Sequence, residues 1–167
     1  MTSGLFLGLM PKLADHVLGL SPIASASLVF LQPAVAALAG IAAPRIPPRT
    51  ARMLALIGLI SGGALVGFGA ASGAVSILIA AAILGGVGNG LGFVLALRPL
   101  NEAAHTHERG GLMSAIYIVA YLSYGVPTLL AGQMATLTGV AATVVVYGAL
   151  IALMGVIALV SHPRTPR

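Results

Sequence analysis

The chain has 167 residues, of which 59% are hydrophobic and only 7% charged, with a formal net charge of +5 and neither cysteine nor tryptophan. Soluble domains carry about 25% charged residues, so this composition excludes an ordinary soluble fold, and the absence of cysteine excludes disulfides and thiolate metal sites. A basic excess would point a soluble protein towards nucleic acid, but the gaps between apolar stretches here are too short to build such a surface, and no nucleic-acid partner is expected.

The first apolar stretch, Gly4 to Leu18, is interrupted by Lys12, Asp15 and His16. Its roughly 15 residues reach only about 22 Å as a helix, short of a hydrocarbon core of about 30 Å. No basic leader precedes it and no small-residue cleavage site stands out, so a signal peptide is not expected. The expectation is a short first helix, the outer part of a span within which Met1 falls. Lys12, Asp15 and His16 share one helical face at spacings i, i+3 and i+4. They either snorkel to water at the outer end of that helix or form a proton or substrate site at the mouth of a cavity.

Five stretches without a single charge follow: Ser21 to Ala43, Met53 to Ala71, Val75 to Leu97, Gly111 to Met134 and Val140 to Ser161. Each is roughly 19–24 residues, enough to span the hydrocarbon core as a helix. Only a helix satisfies its own backbone in lipid. The expected fold is therefore an all-α integral membrane bundle of six transmembrane helices, at about 4–18, 21–43, 53–71, 75–97, 111–134 and 140–161, in one domain covering 1–167.

Within the second helix, Gln32 stands beside Pro33, an amide at an expected kink that serves either packing or a cavity. Gly58 and Gly62, Gly63 and Gly67, Gly86 and Gly90, and Gly88 and Gly92 are small pairs at i, i+4 that let helix backbones approach closely. The run Gly85 to Gly92 superficially suggests a nucleotide loop. Its glycines miss the one, three, six register, no strand precedes it and no lysine is at hand. Close packing is the plain reading, with Asn89 offering an amide to a substrate. Tyr117, Tyr121 and Tyr124 recur at i, i+4 and i+7 and are followed by Pro127, giving one aromatic face for core packing or for substrate. Arg98 is expected to end the fourth helix against Pro99, reaching either the inner interface or an anion. Glu102, His105, His107 and Glu108 follow in a gap whose spacing matches no metal-ligand pattern, so a solvated loop is expected and no metal.

Basic residues fall in alternate gaps: Arg45, Arg49 and Arg52, then Arg98 and Arg109, then Arg164 and Arg167. The gaps around Gly19, Ser72 and Thr138 carry none. The positive-inside rule places the basic gaps, and both chain ends, on the cytoplasmic side of a plasma membrane. No glycine-flanked serine pairs with an intramembrane histidine, and no two carboxylates lie in the apolar segments. Neither enzyme activity nor a cofactor is expected.

Five stretches also carry a family likeness: Gly4 to Leu13; Gly40 through Arg45 to Arg49, with Arg52 after it; Gly85 to Arg98; Glu108-Arg109-Gly110 with Tyr117, Tyr121, Pro127 and Gly132; and Val140 to Ser161. In order and spacing they resemble the C-terminal half of a major facilitator superfamily transporter of the drug-efflux-like branch, over nearly the whole chain. They are similar to, in turn, the outer half of that family's seventh helix, the second copy of its cytoplasmic loop motif, its tenth helix, its eleventh helix with the preceding loop, and its twelfth helix. Pro44 stands near where the loop motif has an acid. The resemblance implies secondary transport of a small molecule by alternating access, proton-coupled, at the interface of two six-helix halves. It implies a cavity lined by the first, second, fourth and fifth helices here, with Gln32, Asn89, Tyr117 and Tyr121 as cavity candidates. Lys12, Asp15 and His16 are then coupling or mouth residues, and Gly40, Arg45 and Arg49 the cytoplasmic loop motif. The implied partners are the lipid bilayer, a small-molecule substrate, and an N-terminal half or a second copy of the chain, because half a rocker cannot alternate by itself. The rival expectation is a non-transporting fragment or accessory membrane subunit.

Overall fold

The computed structural model describes residues 2–103 and 109–161, and among them it is helical with no strand. The first segment is made of α1 (Thr2–Gly8), α2 (Met10–Lys12) and a π-helical turn over Leu13–Val17. Bonds from Leu9 N to Leu5 O at 2.9 Å and from Leu13 N to Leu9 O at 3.0 Å carry the rod across its break. Then come α3 (Pro22–Ala42), a 3-10 turn over Ala43–Arg45, α4 (Pro48–Ser72), α5 (Val75–Ala103), α6 (Arg109–Thr138) and α7 (Val140–Val160).

The helix ends follow from local chemistry. Ser21 caps α3, its Oγ accepting from Ala24 N at 3.4 Å, with Pro22 at the first helical position where its missing N–H costs nothing. Gly73 closes α4 in the left-handed region at φ 67°, so the chain reverses into α5 within two residues. Gly139 turns α6 into α7 at φ 88°.

Five stretches are long and apolar enough to cross a membrane: Pro22–Arg45, Pro48–Ser72, Val75–Pro99, Met113–Thr138 and Val140–Val160. Large apolar side chains are exposed all round them, such as Ile23 at 81% and Leu137 at 84%, a surface suited to acyl chains rather than water. Three boundaries depart most from the sequence expectation, the first being α6, which runs on to Thr138 past Met134. Helix α4 starts at Pro48, five residues before the apolar run, and α5 passes through Pro99 to Ala103 instead of ending at Arg98. Charge ends an apolar window but not a helix. A proline near a helix end removes only the one bond that its N–H would have made.

The first segment is short, as expected, yet it is the most deeply buried part of the bundle. Leu5, Phe6, Leu9, Met10, Leu13 and Ala14 are all 0–2% exposed. They recur in pairs every four residues. On a plain α-helix such a stripe would drift about 40° per repeat. Two repeats add about 80°, within the width of one apolar helical face, and the π-helical turn comes after them, with Leu18 N donating to Leu13 O at 3.0 Å. Around this segment, α4 packs most extensively on α5 and α7, and α3 on α5, while α6 touches mainly α7 and α1.

Candidate functional site

Glycines decide how α5 meets its neighbours. Gly85 and Gly88 face α4: a Cβ built at Gly62 would lie 2.6 Å from Gly85 Cα, and one at Gly88 2.5 Å from Leu59 N. Gly86 and Gly90 face α3, where a Cβ at Gly86 would lie 2.8 Å from the Gln32 carbonyl oxygen and one at Gly90 would collide with the Ala36 carbonyl. With two faces given to backbone contact, Asn89 projects from a third, towards α1. Its Nδ2 donates to Ser3 Oγ at 3.1 Å.

The next residue of α1, Gly4, meets α6. A Cβ there would lie 2.5 Å from Thr128 Oγ1 and 3.3 Å from both the Tyr124 carbonyl and the Tyr147 hydroxyl. Thr128 Oγ1 donates to Tyr124 O at 2.7 Å. Ser3 and Gly4 therefore sit in a polar node formed by Asn89 from α5, Tyr124 and Thr128 from α6, and Tyr147 from α7. Sequence reading passed over Ser3, Thr128 and Tyr147. The available signal was the small pair Gly4 and Gly8, both of which press on Thr128.

Tyr117 and Tyr121 share the face of α6 that carries Tyr124 and Thr128, by the i, i+4, i+7, i+11 rule. Only the last two are covered by α1. Tyr117 is 58% and Tyr121 71% exposed, and their rings lie tilted at 30° with centroids 6.4 Å apart. Phe93, four residues beyond Asn89 on α5, is half exposed as well. Phe93, Tyr117 and Tyr121 are thus left uncovered beyond the polar node, an open vestibule face rather than an enclosed cavity. Two phenol hydroxyls, an amide and three aromatic rings make it able to hold an apolar ligand with hydrogen-bonding groups.

Gln32 is placed apart from this vestibule. Its side chain is 0% exposed, and neither Oε1 nor Nε2 has a hydrogen-bond partner among the described residues. Burying an unpaired amide costs roughly 2–7 kcal/mol. Ser25, two turns earlier on α3, also has a buried Oγ without a partner among the described residues.

Lys12 and Asp15 are exposed at the far end of the first segment. A cavity of about 440 Å³ lies there, lined by Pro11, Asp15, Pro22, Ser25, Ala26 and Val29. The loop residues gather at the opposite end. Gly40 packs near Val94, Arg45 donates from a guanidinium nitrogen to Ile41 O at 3.2 Å, and Arg49, Arg52 and Arg98 are exposed. His105, His107, Glu108, Arg164 and Arg167 lie outside the described residues, as do the side chains of His16, Glu102 and Arg109. No group of metal-ligating side chains forms among the described residues. No protein-family model, curated protein or solved structure matches this chain.

Proposed function

We propose that this chain is one half of a secondary transporter of the major facilitator kind, moving a small, largely apolar molecule across the plasma membrane together with protons. The observation that carries the reading is the vestibule. Tyr117 and Tyr121 are exposed about a third of the way along α6, where lipid would leave their hydroxyls without partners, and Asn89 stands at the vestibule's edge. A polar face left open on an otherwise apolar bundle suits a ligand passage and a facing half. The division of packing supports the same reading. Backbone contacts bind α3, α4, α5 and α7 into a rigid block, while α6 is held thinly and borders the opening, an arrangement suited to rigid-body rocking. Arg45, Arg49, Arg52 and Arg98 would face the cytoplasm.

In this mechanism, the tyrosine rings contact the apolar body of the substrate, and the hydroxyls and Asn89 orient it. A facing six-helix half, either a separate N-terminal half or a second copy, closes the other wall. The test is transport in proteoliposomes that contain the chain alone, as a purified dimer, or with a complementary half, using fluorescent apolar cations under an imposed pH gradient. Uptake with a facing half, abolished by collapsing the gradient, is the expected result. No uptake under any pairing would leave the chain as a non-transporting membrane subunit.

A further inference from the structure

The face of α3 that packs against the first segment carries three hydrogen-bonding groups in a row. Ser25 contributes a buried hydroxyl without a partner among the described residues. Val29 contributes a backbone carbonyl whose usual donor, four residues on, is Pro33, which has no N–H. Gln32 contributes an amide that is fully buried and, among the described residues, unpartnered at both ends. Residues 25, 29 and 32 follow the spacing of a single helical face. The cavity at the end of the first segment already reaches Ser25 and Val29 on α3 and faces them with Pro11 and Asp15. It stops one turn short of Gln32, about 4.5 Å of helix rise.

Both walls of this interface are irregular. Pro33 interrupts one, and Pro11 and the π-helical turn at Leu13–Val17 interrupt the other. Irregular backbone at membrane depth is tolerated where it lines a cavity, and π-turns collect at functional sites. The chemistry of Gln32 narrows the occupant. Its amide needs acceptors for two N–H groups and donors for its carbonyl at once. A metal cation would satisfy only Oε1, and an acyl chain neither end. Water satisfies both, and it satisfies Ser25 in the same way.

We propose that a water-filled track runs between the first segment and α3, from the mouth at Asp15 past Ser25 and the Val29 carbonyl to the Gln32 amide. Its use as a route for coupled protons rests on the transport reading given above; the presence of water in it does not.

The chain has no cysteine, so single cysteines report the track directly. Ser25→Cys, Gln32→Cys, Val66→Cys and Phe30→Cys variants are reacted in native-lipid vesicles with a small water-soluble methanethiosulfonate; the thiolate, which forms only where water reaches, attacks its sulfenyl sulfur, giving a mixed disulfide and releasing methanesulfinate. Val66 is a buried apolar control at 1% exposure, and Phe30 an outward-facing one at 69%. Reaction at Ser25→Cys and Gln32→Cys at least tenfold faster than at both controls is expected. A Gln32→Cys rate equal to that of Val66→Cys would overturn the track. Ser25→Cys is nearly isosteric and tests the outer part by itself, and silence there would overturn it too. A second measurement uses the sign of a stability change. Gln32→Leu should lower the thermal midpoint by removing the amide–water bonds, whereas a raised midpoint would mean that the amide had no partner. Neither measurement requires transport, so a failed transport assay and a failed track are distinguishable.

Discussion

Replacing Gly88 with alanine adds one methyl group where α4 and α5 touch through their backbones. That methyl would lie 2.5 Å from Leu59 N, 2.8 Å from Gly58 C and 2.9 Å from the Ala55 carbonyl oxygen. All three are main-chain atoms, so no side chain can swing aside. Relaxed contacts lie at about 3.5–4.0 Å, so the two helices must part by about 1 Å. The strain spreads along the seam, because a Cβ at Gly58 would already lie 2.8 Å from Gly88 N and one at Gly62 2.6 Å from Gly85 Cα. Overpacking of this kind costs about 1–3 kcal/mol, and a backbone clash belongs at the upper end. Alanine returns up to about 1 kcal/mol of helix propensity, leaving a net loss near 2 kcal/mol. The matched control is Gly132→Ala, also inside a helix, with nothing within 4 Å of the new methyl. It should be neutral or gain up to about 1 kcal/mol. Gly73 cannot serve as a control, because its φ of 67° strains any side chain placed there. Thermal unfolding in detergent, followed by loss of the monodisperse peak, compares the two. Equal midpoints for Gly88→Ala and Gly132→Ala would refute the backbone-contact reasoning.

Other expectations follow from the node, the vestibule and the charge pattern. A double-mutant cycle on Ser3→Ala and Asn89→Leu should give a coupling of about 0.6 kcal/mol, up to about 1.7, as intramembrane hydrogen bonds do; additivity within error would mean that the 3.1 Å bond contributes nothing. In a reconstituted two-half protein, the Asn89→Leu, Tyr121→Phe double variant should lose at least tenfold in transport while remaining folded, and unchanged transport would remove the vestibule from the mechanism. For topology, a cysteine at Ser72 should be labelled by an impermeant reagent outside intact cells and one at Thr50 should not, since both positions are exposed and lie at opposite ends of α4. Labelling at Thr50 alone would invert the orientation.

The sequence alone determined the elements that lipid compels. A backbone in hydrocarbon must form helices of a set length, so five uncharged runs announced five long helices, and glycine pairs announced close approach. Gly58, Gly62, Gly86, Gly88 and Gly90 do lie on backbone contacts, and Gly63 meets Gly148 in the α4–α7 seam. Gly92 meets only the Ala55 side chain, at 4.0 Å. Which face looks where was not legible, because a helix that is apolar on every side carries no periodic signal to orient it. Only the tertiary arrangement made the shortest and most interrupted segment the centre of the core. It did so by packing the first segment against α3, α5, α6 and α7, which together cover Leu5, Leu9 and Leu13. The same arrangement separated four polar residues that look alike in sequence: Asn89 bonds Ser3, Tyr117 and Tyr121 stand open, and Gln32 is fully buried. The physical reason is that a polar side chain's environment is set by the helices around it, and the order of helices around a bundle comes from contacts between residues far apart in the chain.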